Sequence, residues 1–138
     1  MKLKVSGTVL LAIVFLGVIP TGAFDLYDKI PNLDKFLHLA GGLVLAWFLT
    51  HLFTKERRAL PRVSYFLFIL GITALASIGW EFAEHVSGAY SKVIAPIVYH
   101  YFRGGNLTDT LLDLVADLGG AFLFLLVALA RLKSARAS

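Results

Sequence analysis

The sequence contains no cysteine, which excludes disulfide bonds and thiolate metal sites but leaves the compartment open. Charged residues are also scarce, at 16% of the chain, whereas 58% of the residues are hydrophobic and the mean hydropathy is +0.77. Soluble domains contain about half apolar residues. The sequence has no phosphate-binding loop, dinucleotide fingerprint, nucleophile elbow or HExxH pattern, and no internal repeat. It therefore carries no common enzyme motif, and its composition indicates a membrane protein.

The hydrophobic residues are concentrated in four blocks, near residues 5–24, 36–53, 63–82 and 109–130. Each block has about the 20 residues that a helix needs to cross about 30 Å of hydrocarbon. Only a helix satisfies its backbone hydrogen bonds within one segment. We therefore predict an all-α integral membrane bundle of four transmembrane helices, in one domain over residues 1–138. Residues 86–107 are predicted to form an outer segment that is interfacial or re-entrant.

The basic residues predict the orientation of this bundle. With four spans, one side of the membrane receives nine of the 13 Lys and Arg residues, namely Lys2, Lys4, Lys55, Arg57, Arg58, Arg62, Arg131, Lys133 and Arg136. The positive-inside rule then places both termini in the cytoplasm. This topology explains the net charge of +4 without nucleic acid as a partner. We expect a multi-pass protein of the cytoplasmic (inner) membrane, with lipids and other membrane proteins as partners.

The first block has a second interpretation. Lys2 and Lys4, an apolar run and the small residues at 21–23 also fit a signal peptide. We favour an uncleaved first helix because the block is long enough to span. Cleavage would leave three helices in the same orientation.

Eight of the nine carboxylates fall in the outer loops or in the outer halves of the predicted helices. Asp109, Asp113 and Asp117 are four residues apart, so they form one stripe along a helix. An Asp at the centre of a membrane helix costs about 2.5–3.5 kcal/mol, so these side chains are expected to face the bundle interior.

Two other predicted helices contribute polar residues at the same outer level. Glu81, Glu84 and His85 share one helical face, and Asp34 and His38 are one turn apart on another helix. Lys35 and Arg103 are expected nearby as counter-charges. The candidate metal ligands in this set are His38, Glu81, Glu84, His85, Asp113 and Asp117. Asp34, Lys35, Arg103 and Asp109 complete the predicted polar site.

Three interpretations of this cluster remain open. The first is a buried network of hydrogen bonds and ion pairs that holds the helices in register. The second is a divalent metal site, since His with Asp and Glu is suitable ligand chemistry. The third is a proton or ion relay along the Asp stripe.

Several of these motifs resemble a known family. Asp34-Lys35-x-x-His38 is similar to the opening of VanZ-like membrane proteins. Trp80-Glu81-x-x-Glu84-His85 and the Asp109–Asp117 stripe with Gly119-Gly120 resemble the second half of that group. They are closer still to a related family of uncharacterised bacterial inner-membrane proteins.

The resemblance implies a bacterial or archaeal membrane protein with Asp34, His38, Glu81, Asp113 and Asp117 at the core of its site. VanZ-like proteins are associated with reduced susceptibility to glycopeptide antibiotics. Here Glu84-His85 and Arg103-Gly104 stand where that group has a Gln and a Gly-Arg pair, so antibiotic resistance is not carried over.

The function expected from these features is a polar site that binds a divalent cation together with a lipid or cell-envelope component. The alternative is a non-catalytic accessory subunit of a larger membrane complex, with the acidic cluster as internal structure. Whether the protein is an enzyme stays open, because only the acidic cluster suggests it. A transporter is less favoured, since four helices without an inverted repeat offer little for alternating access.

Overall fold

In a computed structural model, which describes residues 7–12, 26–94 and 106–134, the chain is helical throughout its regular elements. The elements that follow the helical residues 7–12 are α1 (Leu26–Lys29), α2 (Leu33–Leu52), α3 (Thr54–Ala59), α4 (Arg62–Ile94) and α5 (Leu107–Ser134). No strand occurs in the described ranges, so the predicted all-α class is confirmed.

Within the described ranges, three helices are long and apolar enough to cross a membrane: Leu33–Leu52, Arg62–Ser87 and Leu107–Ala128. They correspond to the predicted blocks 36–53, 63–82 and 109–130. The predicted first span, 5–24, lies largely outside the described residues. Four spans and the cytoplasmic termini therefore remain predictions.

The helix ends follow from local chemistry. Asn32 precedes α2 in the left-handed conformation (φ 58°), which asparagine adopts more readily than most residues. The side chain of Asn106 caps α5 by accepting a hydrogen bond from the Asp109 amide at 3.1 Å. Leu60 is extended because it precedes Pro61, which ends α3 and lets α4 begin at Arg62.

Helix α4 is longer than the predicted block 63–82. It continues to Ile94, so residues 86–94 of the predicted outer segment extend this helix. The next proline along the chain is Pro96, and nothing before it forces the helix to end. Residues 95–105 of that segment lie outside the described residues.

Two glycines bring α2 and α5 into direct backbone contact. A Cβ on Gly42 would collide with the backbone carbonyl of Asp117, and a Cβ on Gly120 would collide with the backbone carbonyl of Leu39. Small residues at helix crossings permit this close approach inside a membrane. As a result, α2 packs more extensively against α5 than either helix packs against α4.

The apolar core lies at the end of the bundle where α2 ends and α4 begins. Its buried members are Ala46, Leu49, Tyr65, Ile69, Ala121 and Leu125. The first residues of α2 and α5 and the later half of α4 meet at the opposite end. This opposite end contains the polar side chains described next.

Candidate functional site

Lys35 is the centre of the polar cluster. Its ammonium group donates hydrogen bonds to Asp34 Oδ2 at 3.0 Å, to Asp109 Oδ1 at 2.6 Å and to Asp113 Oδ1 at 2.6 Å. An ammonium has three N–H donors, and these three carboxylates use all of them. Two of the three come from α5, so Lys35 connects α2 to α5.

His38 lies one turn further along α2, with a side chain that is only 9% exposed. Its Nδ1 is 3.1 Å from Asp117 Oδ2 on α5. A carboxylate only accepts hydrogen bonds, so we assign the donated proton to Nδ1. The other ring nitrogen, Nε2, is 3.7 Å from Asp34 Oδ1, 3.8 Å from Glu81 Oε1 and 3.9 Å from Asp113 Oδ1.

Helix α4 contributes Glu81 and Glu84 to the cluster. Glu81 is 8% exposed, and its Oε1 is buried with no hydrogen-bond partner among the described residues. The hydroxyl of Thr110 on α5 is close enough to interact with the same carboxyl group. Glu84 accepts a hydrogen bond from the indole N–H of Trp80 at 2.9 Å.

The structure thus brings together eight of the ten residues predicted for the site, from α2, α4 and α5. Two sets have one ligand atom per residue within 4.8 Å of one another: Asp34, His38 and Asp113, and His38, Glu81 and Glu84. Asp117 contacts His38, and Asp109 contacts Lys35. The side chains of Asp113 and Asp117 face the interior, as the Asp stripe predicts, whereas that of Asp109, near the start of α5, is 41% exposed.

Two predicted residues are not among these eight. His85 is an exposed residue of α4 and belongs to neither set of candidate ligands within the described residues. Arg103 lies outside the described residues. Among the described residues, Lys35 supplies a counter-charge to the carboxylates, as predicted.

Trp80 is a contributor that the sequence analysis did not place in the site. Its indole N–H orients Glu84 one helical turn away. The i,i+4 spacing of Trp80 and Glu84 is the signal that indicates such a contact.

An apolar groove follows α4 and α5 below the polar cluster. It has a volume of about 570 Å³ and is lined by Leu67, Leu70, Gly71, Ala74, Leu118, Gly119 and Phe122. Leu118 and Gly119 directly follow Asp117 in the chain, so the groove is near the polar side chains.

The apolar helices and the buried polar cluster define the class of this chain as a membrane protein. Residues 2–134 match the family described as predicted membrane protein (DUF2238), and the chain belongs to that family. The prediction of a membrane-protein family is thereby confirmed. The match is to this family, and the VanZ-like resemblance stays a prediction.

A relative from Thermotoga maritima, named "Uncharacterized protein", is 31% identical over 112 residues. The alignment covers 79% of this chain and 54% of the relative, so the chain spans about half of the relative's length. No solved structure matches the chain.

Proposed function

We propose that this chain is a multi-pass protein of the cytoplasmic membrane whose polar cluster holds a divalent cation and binds a lipid or cell-envelope component. In this proposal four helices span the membrane, both termini are cytoplasmic, and the cluster lies in the outer half of the bundle. The arrangement of charge supports this orientation. The basic residues Lys55, Arg57 and Arg58 are on α3, at the end of the bundle opposite the acidic cluster.

The observation that carries the cation proposal is the environment of Glu81. Its Oε1 is buried, has no hydrogen-bond partner among the described residues and is 3.8 Å from His38 Nε2. An unpaired buried polar atom is costly, and more so when the group is charged. A cation between the carboxylate and the imidazole removes that cost, and His with Glu is suitable ligand chemistry.

The lipid component is supported by the groove between α4 and α5. Ala74 precedes Glu81 by two helical turns, about 10 Å along the axis. The polar cluster and the groove therefore follow the same two helices. We propose that an acyl chain occupies the groove while a polar headgroup reaches the cluster.

Metal analysis tests the cation proposal. The wild type and His38→Gln are purified in detergent without chelator, and bound metal is measured by elemental mass spectrometry. His38 is the one residue common to both sets of candidate ligands. We expect near-stoichiometric metal in the wild type and its loss in His38→Gln. A metal-free wild type that takes up no added divalent cation would refute the proposal.

The absence of cysteine makes the topology directly testable, because single cysteines can be introduced without a background. Arg58→Cys on α3 and Asn106→Cys before α5 are both at exposed positions, at opposite ends of the bundle. In intact cells, a membrane-impermeant thiol reagent should label Asn106→Cys and spare Arg58→Cys. Both variants should be labelled after permeabilisation. Labelling of Arg58→Cys alone would reverse the orientation.

A second candidate, the non-catalytic accessory subunit, is favoured by one observation. All three donors of Lys35 are used by carboxylates of this same chain, which is what an internal structural network requires. In this case a partner protein would co-purify in mild detergent. Wild type and His38→Gln would also contain equally little metal, and substitutions in the cluster would reduce assembly.

A further inference from the structure

The polar cluster contains two alternative sets of cation ligands, and both need the same nitrogen of His38. His38 belongs to the set with Asp34 and Asp113 and also to the set with Glu81 and Glu84. The single free ring nitrogen, Nε2, can coordinate one ion. The two sets are therefore exclusive, and the surrounding contacts indicate which one is used.

The set with Asp34 and Asp113 already has the positively charged ammonium group of Lys35 beside it. Lys35 Nζ is 3.0 Å from Asp34 Oδ2 and 2.6 Å from Asp113 Oδ1, and this Asp113 oxygen is the one that faces His38. A metal ion bound there would lie close to the ammonium. The charge repulsion and the competition for Asp113 Oδ1 both disfavour that position.

The set with Glu81 and Glu84 has no ammonium among its described contacts. Two residues that are not members of the set hold its ligands in position. Asp117 holds His38 through Nδ1 and leaves Nε2 available, an arrangement common for metal-binding histidines. Trp80 holds one oxygen of Glu84. Glu81 is more than nine-tenths buried, and its Oε1 is unpartnered within the described ranges.

The distances also suit one ion. Bonds of about 2.1 Å to a tetrahedral ion place two ligand atoms about 3.4 Å apart. The separation between His38 Nε2 and Glu81 Oε1 is 3.8 Å, so a small approach of the two side chains would bring them to this spacing.

From this geometry we infer that the cation site consists of His38, Glu81 and Glu84, with Asp117 as a positioning residue and Lys35 as the built-in counter-ion of Asp34, Asp109 and Asp113. This inference rests on the proposed cation-binding function and specifies its ligands. One imidazole with two carboxylates favours a first-row divalent ion such as Zn²⁺ or Mn²⁺ over Ca²⁺, which prefers oxygen ligands alone.

Two matched variants distinguish the two sets. Glu84→Gln and Asp34→Asn each replace one carboxylate by its amide, each keeps Lys35, and each residue belongs to one set only. The full-length protein is stripped with chelator and then dialysed against Zn²⁺, and bound zinc is measured. We expect Glu84→Gln to lose Zn²⁺ binding at concentrations that saturate the wild type, and Asp34→Asn to keep it. Asp117→Asn should weaken the affinity about 10–100-fold and still reach full stoichiometry.

The outcomes separate this inference from the proposed function. If Asp34→Asn loses zinc and Glu84→Gln keeps it, the ligand assignment is wrong and the proposed function stands. If the wild type binds no zinc and no Mn²⁺, both fail. Gel filtration and circular dichroism of each variant confirm that it is folded.

A second measurement avoids substitutions among the ligands. The chain has two tryptophans, so Trp47→Phe leaves Trp80, which contacts Glu84, as the only one. Zn²⁺ should change the Trp80 emission with the dissociation constant found by dialysis. Zinc binding that leaves this emission unchanged would overturn the assignment of Glu84.

Discussion

Lys35 forms ion pairs with Asp109 and with Asp113, and the nitrogen–oxygen distance is the same in both pairs. Its Nζ is 2.6 Å from Asp109 Oδ1 and 2.6 Å from Asp113 Oδ1. The side chain of Asp109 is 41% exposed, whereas that of Asp113 is 4% exposed. If the two pairs contribute differently to the free energy of unfolding, the cause is therefore their different burial and not their distance.

The expected magnitudes follow from the dielectric environment. At the 2.6 Å of both pairs, the attraction is about 1.6 kcal/mol with the dielectric constant of water and about 6 kcal/mol at an effective value of 20. Desolvation and side-chain entropy cancel much of this gain. We predict a coupling energy of about 2–3 kcal/mol between Lys35 and Asp113. The exposed pair with Asp109 is screened by solvent and should give less than about 1 kcal/mol.

Double-mutant cycles measure these couplings. Lys35→Met, Asp109→Asn, Asp113→Asn and the two double variants are unfolded by increasing fractions of sodium dodecyl sulfate in mixed micelles. Helix content is followed by circular dichroism with chelator present, so that bound metal does not contribute. Equal coupling energies for the two pairs, or none with Asp113, would refute the argument that burial decides the strength of this network.

Three further predictions concern glycines and one tyrosine. Gly42→Ala should lower the free energy of unfolding by about 1–3 kcal/mol, because its Cβ meets the Asp117 carbonyl. Gly41→Ala, whose Cβ would be 3.8 Å from Asp117 Oδ1, should cost less, and equal costs in the same unfolding assay would contradict the packing. Gly71→Leu should reduce the lipid retained in native mass spectrometry, whereas Gly79→Leu should not. Both positions are open within 4 Å but only Gly71 lines the groove, so equal retention would exclude an acyl chain there. Tyr65→Phe should leave stability unchanged or raise it, because the Tyr65 hydroxyl is buried without a partner among the described residues. A loss above about 1 kcal/mol would show that this hydroxyl is hydrogen-bonded.

The sequence predicts the helices well because hydrophobic length and helix periodicity are local properties. The blocks that became α2, α4 and α5 are visible as apolar runs, and the four-residue spacing placed Asp113 and Asp117 on an interior face. Gly41-Gly42 is also a pair of small residues of the kind that permits a close helix approach. The length of α4 was underestimated because residues 86–94 are mixed in character, and a mixed composition does not by itself end a helix.

The organisation of the site depends on tertiary contacts that no sequence spacing encodes. Lys35 is adjacent to Asp34 in the chain, but its contacts with Asp109 and Asp113 require α2 and α5 to cross at Gly42 and Gly120. The same crossing brings Asp117 to His38. For this reason the sequence identified most of the members of the cluster but not the division between the Lys35 contacts and the Glu81–Glu84 side.

The most direct test of the cation site is the X-ray absorption spectrum, at the metal edge, of wild-type protein loaded with one equivalent of Zn²⁺. We predict a first shell of nitrogen and oxygen at about 2.0–2.2 Å with imidazole scattering from one histidine. That imidazole signal should disappear in His38→Gln. A wild-type spectrum without imidazole scattering, or one unchanged in His38→Gln, would place the metal elsewhere and contradict the account.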